Sequence, residues 1–112
     1  MKKIKKICFD LDGVICSNTY GEYEKAEPYT DSIRKINQLY DSGYYIFIYT
    51  SRYMGRFDGD VEKVYSHGFD FTLNQLKSWK VKFHQLIMGK PDYDIIIDDK
   101  SIDYSLQWKT KL

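Results

Sequence analysis

The chain has 112 residues, of which 43% are hydrophobic and 29% charged, with a formal net charge of +1. That length suits one domain spanning 1–112, and the apolar share is enough to close a core, which excludes a disordered chain. Near-neutral charge supplies no broad attraction to phosphate backbones or anionic lipid, so composition argues against a nucleic-acid or membrane-surface protein.

The first residues, Met1-Lys2-Lys3-Ile4-Lys5-Lys6, have the basic character of a leader, but Asp10 and Asp12 break the apolar run that follows. Neither a translocated nor a membrane-spanning segment is therefore expected. Ile7-Cys8-Phe9 reads as a short buried strand ending in that acidic pair. Cys8 and Cys16 lack metal-ligand spacing and read as two free thiols in a reducing cytoplasm. Residues 17–29, with Tyr20, Tyr23 and Tyr29, are long enough for a small flap.

Beyond the flap, Ile33, Ile36, Leu39 and Tyr40 have helical spacing after a cap at Thr30 or Asp31, and Gly43 marks the end. Tyr44 to Tyr49 predicts a second strand, rich in β-branched and aromatic residues. A short turn around Val61, Val64 and Tyr65 precedes a helix with Leu73, Leu76 and Trp79 on one face. Phe83 to Met88 is a third strand candidate. Ile95-Ile96-Ile97 is a fourth, apolar at successive positions as in a parallel strand covered on both faces. This order predicts an α/β fold, three-layered and Rossmann-like, with a mostly parallel central sheet whose ligands bind beyond the carboxyl ends of the strands.

Each predicted strand runs into a chemically active side chain. Asp10 and Asp12 follow the first, Thr50 with Ser51 and Arg52 the second, Lys90 the third, Asp98 and Asp99 the fourth. An Asp after a strand is ordinarily a turn former, and the case rests on four such groups meeting at one sheet edge. Four carboxylates held together repel: at ~4 Å and an effective dielectric of ~20, each pair costs about 4 kcal/mol. A divalent cation relieves this, and an all-oxygen ligand set favours Mg²⁺. With a metal, Lys90 and the Thr50 hydroxyl around one position, the site suits a phosphoryl group. Asp10 is then the nucleophile and Asp12 the general acid/base. Ser51 and Arg52 are candidates for substrate contact, Arg52 through a bidentate grip on phosphate.

The run Asp10-Leu11-Asp12-Gly13-Val14-Ile15 resembles the DxDG(T/V) nucleophile motif of the haloacid dehalogenase superfamily. Ile46-Phe47-Ile48-Tyr49-Thr50-Ser51-Arg52, Gly89-Lys90-Pro91 and Ile95-Ile96-Ile97-Asp98-Asp99 resemble its second, third and fourth motifs in the same order. The resemblance implies a magnesium-dependent phosphatase with an aspartyl-phosphate intermediate on Asp10. It implies a Mg²⁺ site of Asp10, the Asp12 backbone carbonyl and Asp98, with Asp99 beside it, and phosphate ligands Thr50 and Lys90. The short length and the Thr50-Ser51-Arg52 run are most similar to the small capsule polysaccharide biosynthesis phosphatases, although Gly13-Val14 stands where that group has Asn-Thr. A small sugar phosphate is the implied substrate. No insertion is long enough for a cap domain, so an open site is expected, which suits a large substrate or a homo-oligomer that covers it. A polynucleotide-end phosphatase and a receiver-like signalling module are the alternatives. In a receiver the Lys follows the later acidic groups, whereas Lys90 precedes Asp98.

Overall fold

The computed structural model describes residues 5–104 and 108–112. Three parallel strands, β1 (Lys6–Phe9), β2 (Tyr45–Tyr49) and β3 (Gln85–Ile87), form a sheet in the order β1-β2-β3. Helices α1 (Thr30–Asp41) and α2 (Val61–Ser78) connect them. This is an α/β arrangement consistent with a Rossmann-like fold. The register aligns Phe9 with Ile48 and Tyr49 with Ile87, so all three chains leave the sheet at the same edge. Pairing continues past the strands: Thr50 N donates to the Ile87 carbonyl at 3.0 Å and Lys90 N to the Thr50 carbonyl at 3.1 Å.

Ile46 and Ile48 on β2, Ile36 on α1, and Val64 and Leu76 on α2 are fully buried in one core. Each such aliphatic side chain contributes roughly 2 kcal/mol by leaving water. α1 begins at Thr30, so the expected caps Thr30 and Asp31 lie in its first turn; Tyr29 takes the cap position without a side-chain bond, and its N–H donates to the Ile15 carbonyl at 2.8 Å. Gly43 stands just past its end with φ +98°, a conformation glycine adopts without strain. The expected turn around Val61 to Tyr65 is the first part of α2, whose cap is Asp60 accepting from Lys63 N. Mid-helix Gly68 faces the Tyr53 ring, which occupies the space a Cβ would need. Asn37 of α1 ties down the loop after α2, donating to the Lys80 carbonyl at 3.0 Å and accepting from Lys82 N at 2.8 Å.

The fourth strand expected over Ile95-Ile96-Ile97 does not form. That run is irregular, with Ile95 81% and Ile97 96% exposed. Asp98 instead closes a local turn, its Oδ1 accepting from Lys100 N at 2.9 Å, a bond that competes with continued extension. β1 pairs with β2 alone among the described strands, and Cys8, expected to be buried, is exposed. Trp108 covers Phe9 at the end of β1, with ring centroids 5.6 Å apart in an edge arrangement. No helix among the described residues is long and apolar enough to cross a membrane.

Candidate functional site

At the carboxyl edge of the sheet, the chain after β1 turns sharply at Gly13, where φ is +89° and a Cβ would meet Asn18 Nδ2 at 3.0 Å. The turn is closed by Gly13 N donating to the Cys16 carbonyl at 2.7 Å and Ile15 N to the Leu11 carbonyl at 2.8 Å. Leu11, Ile15 and Cys16 point into the core, which leaves Asp10 and Asp12 facing a cavity of about 200 Å³. Ser51 and Lys90 line it too, as do Asn18, Asp92 and Tyr93, which sequence reasoning did not single out.

Asp10 Oδ1 accepts from Leu11 N at 2.9 Å and lies 3.5 Å from Lys90 Nζ. Burial pushes the Asp10 carboxyl above its ordinary value, and Lys90, which pulls it down, does not compensate. Burial would likewise lower Lys90, but Tyr93, whose ring centre lies 5.1 Å from Lys90 Nζ, and the nearby Asp10 together hold it above the ordinary lysine value. The two partners thus differ on how much their contact is worth. Its length of 3.5 Å and the larger effect of Tyr93 on Lys90 mark it as a weak pair.

Arg52 is not at the cavity surface. It is 1% exposed, donating from Nε to Asp12 Oδ2 and from Nη2 to Asp12 Oδ1, both at 2.9 Å. Nη1 donates to Gln75 Oε1 at 2.7 Å, and Gln75 Nε2 donates to the Tyr23 carbonyl at 2.8 Å. The expected phosphate contact is therefore replaced by a buried, bidentate hold on Asp12. Burial alone would lower the Arg52 pKa, but the Asp12 bonds outweigh it. The neighbouring Cys16 thiol, 3.4 Å from Asp12 Oδ1, is pushed up to about 12 by burial and then by Asp12, which makes it chemically inert. Thr50 is also buried, and its Oγ1 accepts from Arg52 N at 3.1 Å, so it shapes the loop from below the cavity.

Asp98 and Asp99 are exposed and do not line the cavity. Asp98 is nonetheless near this end of the sheet: the raised pKa of Cys8, caused first by partial desolvation although its surface is exposed, is also shaped by Lys90, Asp10 and Asp98. Among the described residues no three His, Cys, Asp or Glu side chains come together as a group that could hold a metal ion. The electrostatic need for one is smaller than the sequence suggests, because Arg52 balances Asp12 and Lys90 stands beside Asp10. As placed, these residues do not make a metal centre.

No family model and no curated protein matches the chain. It is similar to the crystal structure of a target protein from Vibrio cholerae, at 26% identity over 96% of this chain and 95% of that one, with a TM-score of 0.82. The likeness supports the α/β architecture over nearly the full length.

Of the residues selected from sequence, the cavity thus gathers Asp10, Asp12, Ser51 and Lys90, with Thr50 and Arg52 behind its wall. Gln75 carried a readable signal, as a polar side chain one position before the core residue Leu76 on the apolar side of α2. Asn18 carried none.

Proposed function

We propose that the chain is a phosphomonoester hydrolase with the layered fold and aspartyl-phosphate chemistry of the haloacid dehalogenase superfamily. By that resemblance its substrate is a small sugar phosphate of capsule or surface polysaccharide biosynthesis. The observation that carries the reading is a small cavity lined by Asp10, Asp12, Asp92 and a lysine, with Lys90 3.5 Å from Asp10. A phosphoryl group placed there has a nucleophile on one side and a cation beside it.

In the first half of the reaction an Asp10 carboxylate oxygen bonds to phosphorus while the ester P–O bond breaks. The departing oxygen takes the proton of the Asp12 carboxylic acid, which becomes the carboxylate that Arg52 holds. Lys90 Nζ, the Ser51 hydroxyl and the Asn18 amide are the donors available to the phosphoryl oxygens, whose charge is the main burden of such a transition state. In the second half, water attacks phosphorus, its proton passes to Asp12, and Asp10 is released. Arg52 fixes the Asp12 carboxylate in one orientation for both steps, which makes it a positioning residue. Magnesium dependence belongs to the proposal through the resemblance.

The test is phosphate release from sugar phosphates, nucleotides and 3′-phosphorylated oligonucleotides, with Mg²⁺ or a chelator, for wild type and Asp10→Asn. Turnover of a sugar phosphate, reduced about a thousandfold or more in Asp10→Asn, is the expected result. Undiminished activity in the variant overturns the covalent mechanism. A stable phosphoprotein without turnover assigns the site to phosphoryl storage instead.

A further inference from the structure

Beside the reaction cavity lies a larger one of about 610 Å³, and the two share Ser51 and Asp92 as wall. If phosphorus sits next to Asp10, the space left for the rest of the ester is this second cavity. Its volume is within the range that holds a small organic ligand. Its lining comes from the flap, through Tyr20, Glu22 and Tyr23, and from the loop after β2, through Arg56.

The two loops are pinned together. Arg56 Nη2 donates to the Gly21 carbonyl at 2.8 Å, its guanidinium lies 4.7 Å from the Tyr53 ring centre, and Tyr53 N donates to Tyr23 Oη at 3.0 Å. The flap is therefore a fixed wall. At its tip Tyr20 has φ +55°, which bulky residues rarely adopt, and its side chain is almost wholly exposed, with 98% of its surface in water. The Arg56 bond fixes the backbone at Gly21, next to Tyr20, and the exposed Tyr20 ring at the cavity rim is free to turn onto a ring-shaped ligand and stack on it.

The charges decide which ring. Glu22 and Asp92 bring two carboxylates, which accept hydrogen bonds from hydroxyl groups; Lys25 meets Glu22 Oε1 at 3.1 Å in an exposed, water-screened pair, and Asp92, with no cationic partner among the described residues, is the stronger repellent of an anion. Arg56 is the one cation among the cavity's lining residues, and one of its donors is already spent on Gly21. We infer that the second cavity is the leaving-group subsite, and that it selects the monophosphate ester of an uncharged, polyhydroxylated ring over an ester whose leaving group bears another anionic group. The inference rests on the phosphatase reading and adds the residues that choose the substrate.

The experiment compares three esters, glycerol phosphate, a hexose monophosphate and the corresponding hexose bisphosphate, in wild type, Tyr20→Ala, Tyr20→Phe and the pair Glu22→Gln with Asp92→Asn. Loss of stacking in Tyr20→Ala should raise KM for the hexose monophosphate relative to glycerol phosphate about fivefold to tenfold, with Tyr20→Phe restoring the ratio. The double amide variant should shift kcat/KM toward the bisphosphate. A wild type that hydrolyses all three esters, with ratios untouched by every variant, overturns the subsite and leaves the phosphatase reading standing. If no ester turns over, the phosphatase reading fails and calorimetry of hexose monophosphate binding decides the subsite. Binding weakened by Tyr20→Ala upholds it, and equal or absent binding overturns it.

Discussion

Residues 5–90 and residues 91–104 both contain an apolar run that ends in an acidic pair, yet the molecule treats the two differently. Phe9, before Asp10 and Asp12, is in register with Ile48 of β2, and Asp12 is gripped by a buried arginine from 40 positions away. Ile95-Ile96-Ile97, before Asp98 and Asp99, is exposed, and among the described residues Asp98 bonds only within its own turn. The composition of a run thus does not make it a strand: a ladder partner has to repay the entropy of ordering it. The same holds for a carboxylate, whose position becomes definite when a distant donor reaches it.

The comparison can be broken by making one substitution in both regions. Ile48→Ala should destabilise the fold by about 2–5 kcal/mol, because it opens a cavity in the core. Ile97→Ala should stay within about 0.5 kcal/mol of wild type, since it removes an exposed side chain. Urea unfolding of the two variants measures both numbers, and similar losses would place Ile97 in a packed environment. Next in size is Arg52→Ala, which leaves Asp12 partly buried without its partner. The expected cost is about 3 kcal/mol by denaturation, with a fall in kcat larger than the change in KM. Arg52→Lys should recover little of either, because an ammonium cannot reproduce the two parallel bonds.

A third measurement sharpens the contrast at the second acidic pair. For Asp98 to share an ion with Asp10 it must leave its turn and move to the end of β1, drawing the isoleucines toward that strand. Amides of residues 95–99 should therefore exchange rapidly with solvent alone and more slowly in saturating Mg²⁺, and Asp98→Asn should abolish the difference. Exchange that Mg²⁺ leaves unchanged would keep Asp98 in its turn and exclude it as a metal ligand.

The sheet was legible because its signals are local and agree with one another. β-branched and aromatic residues fill β2, helical spacing marks α1, and the glycines at 13 and 43 take the positive φ their turns require. Residues that end a strand inherit their place from it, so the sequence alone assigns Asp10, Asp12 and Lys90 to one edge. What stayed hidden depends on partners remote in sequence. Arg52 has the chemistry of a phosphate ligand, and only its packing against Gln75 and Asp12 gives it another task. Gly68 lies in the middle of α2, and only the Tyr53 ring, remote in sequence, shows why a side chain is absent there. The isoleucine triplet reads as a strand at every position, and nothing in those residues reports that Asp98 prefers its own turn.

The smallest effect concerns Asp10, whose substitution should separate stability from activity. Its pKa in the folded protein is raised above the ordinary aspartate value of 3.8, so the native state holds the proton more tightly than the unfolded chain does. Stability tied to this group is then fully present below that ordinary value and is lost as pH rises through the raised one. Asp10→Asn removes the penalty, so its thermal midpoint should exceed that of wild type at neutral pH, and the gap should close in acid. Lys90 loses a partner in that variant, but the upward shift of Asp10 already includes the attraction of Lys90, so the sign stands. On the proposed mechanism the same raised pKa should set the acid limb of kcat/KM above the range of a free aspartate, because a nucleophilic Asp10 must be ionised. A variant less stable than wild type at neutral pH would mean that the Lys90 contact outweighs the burial of Asp10.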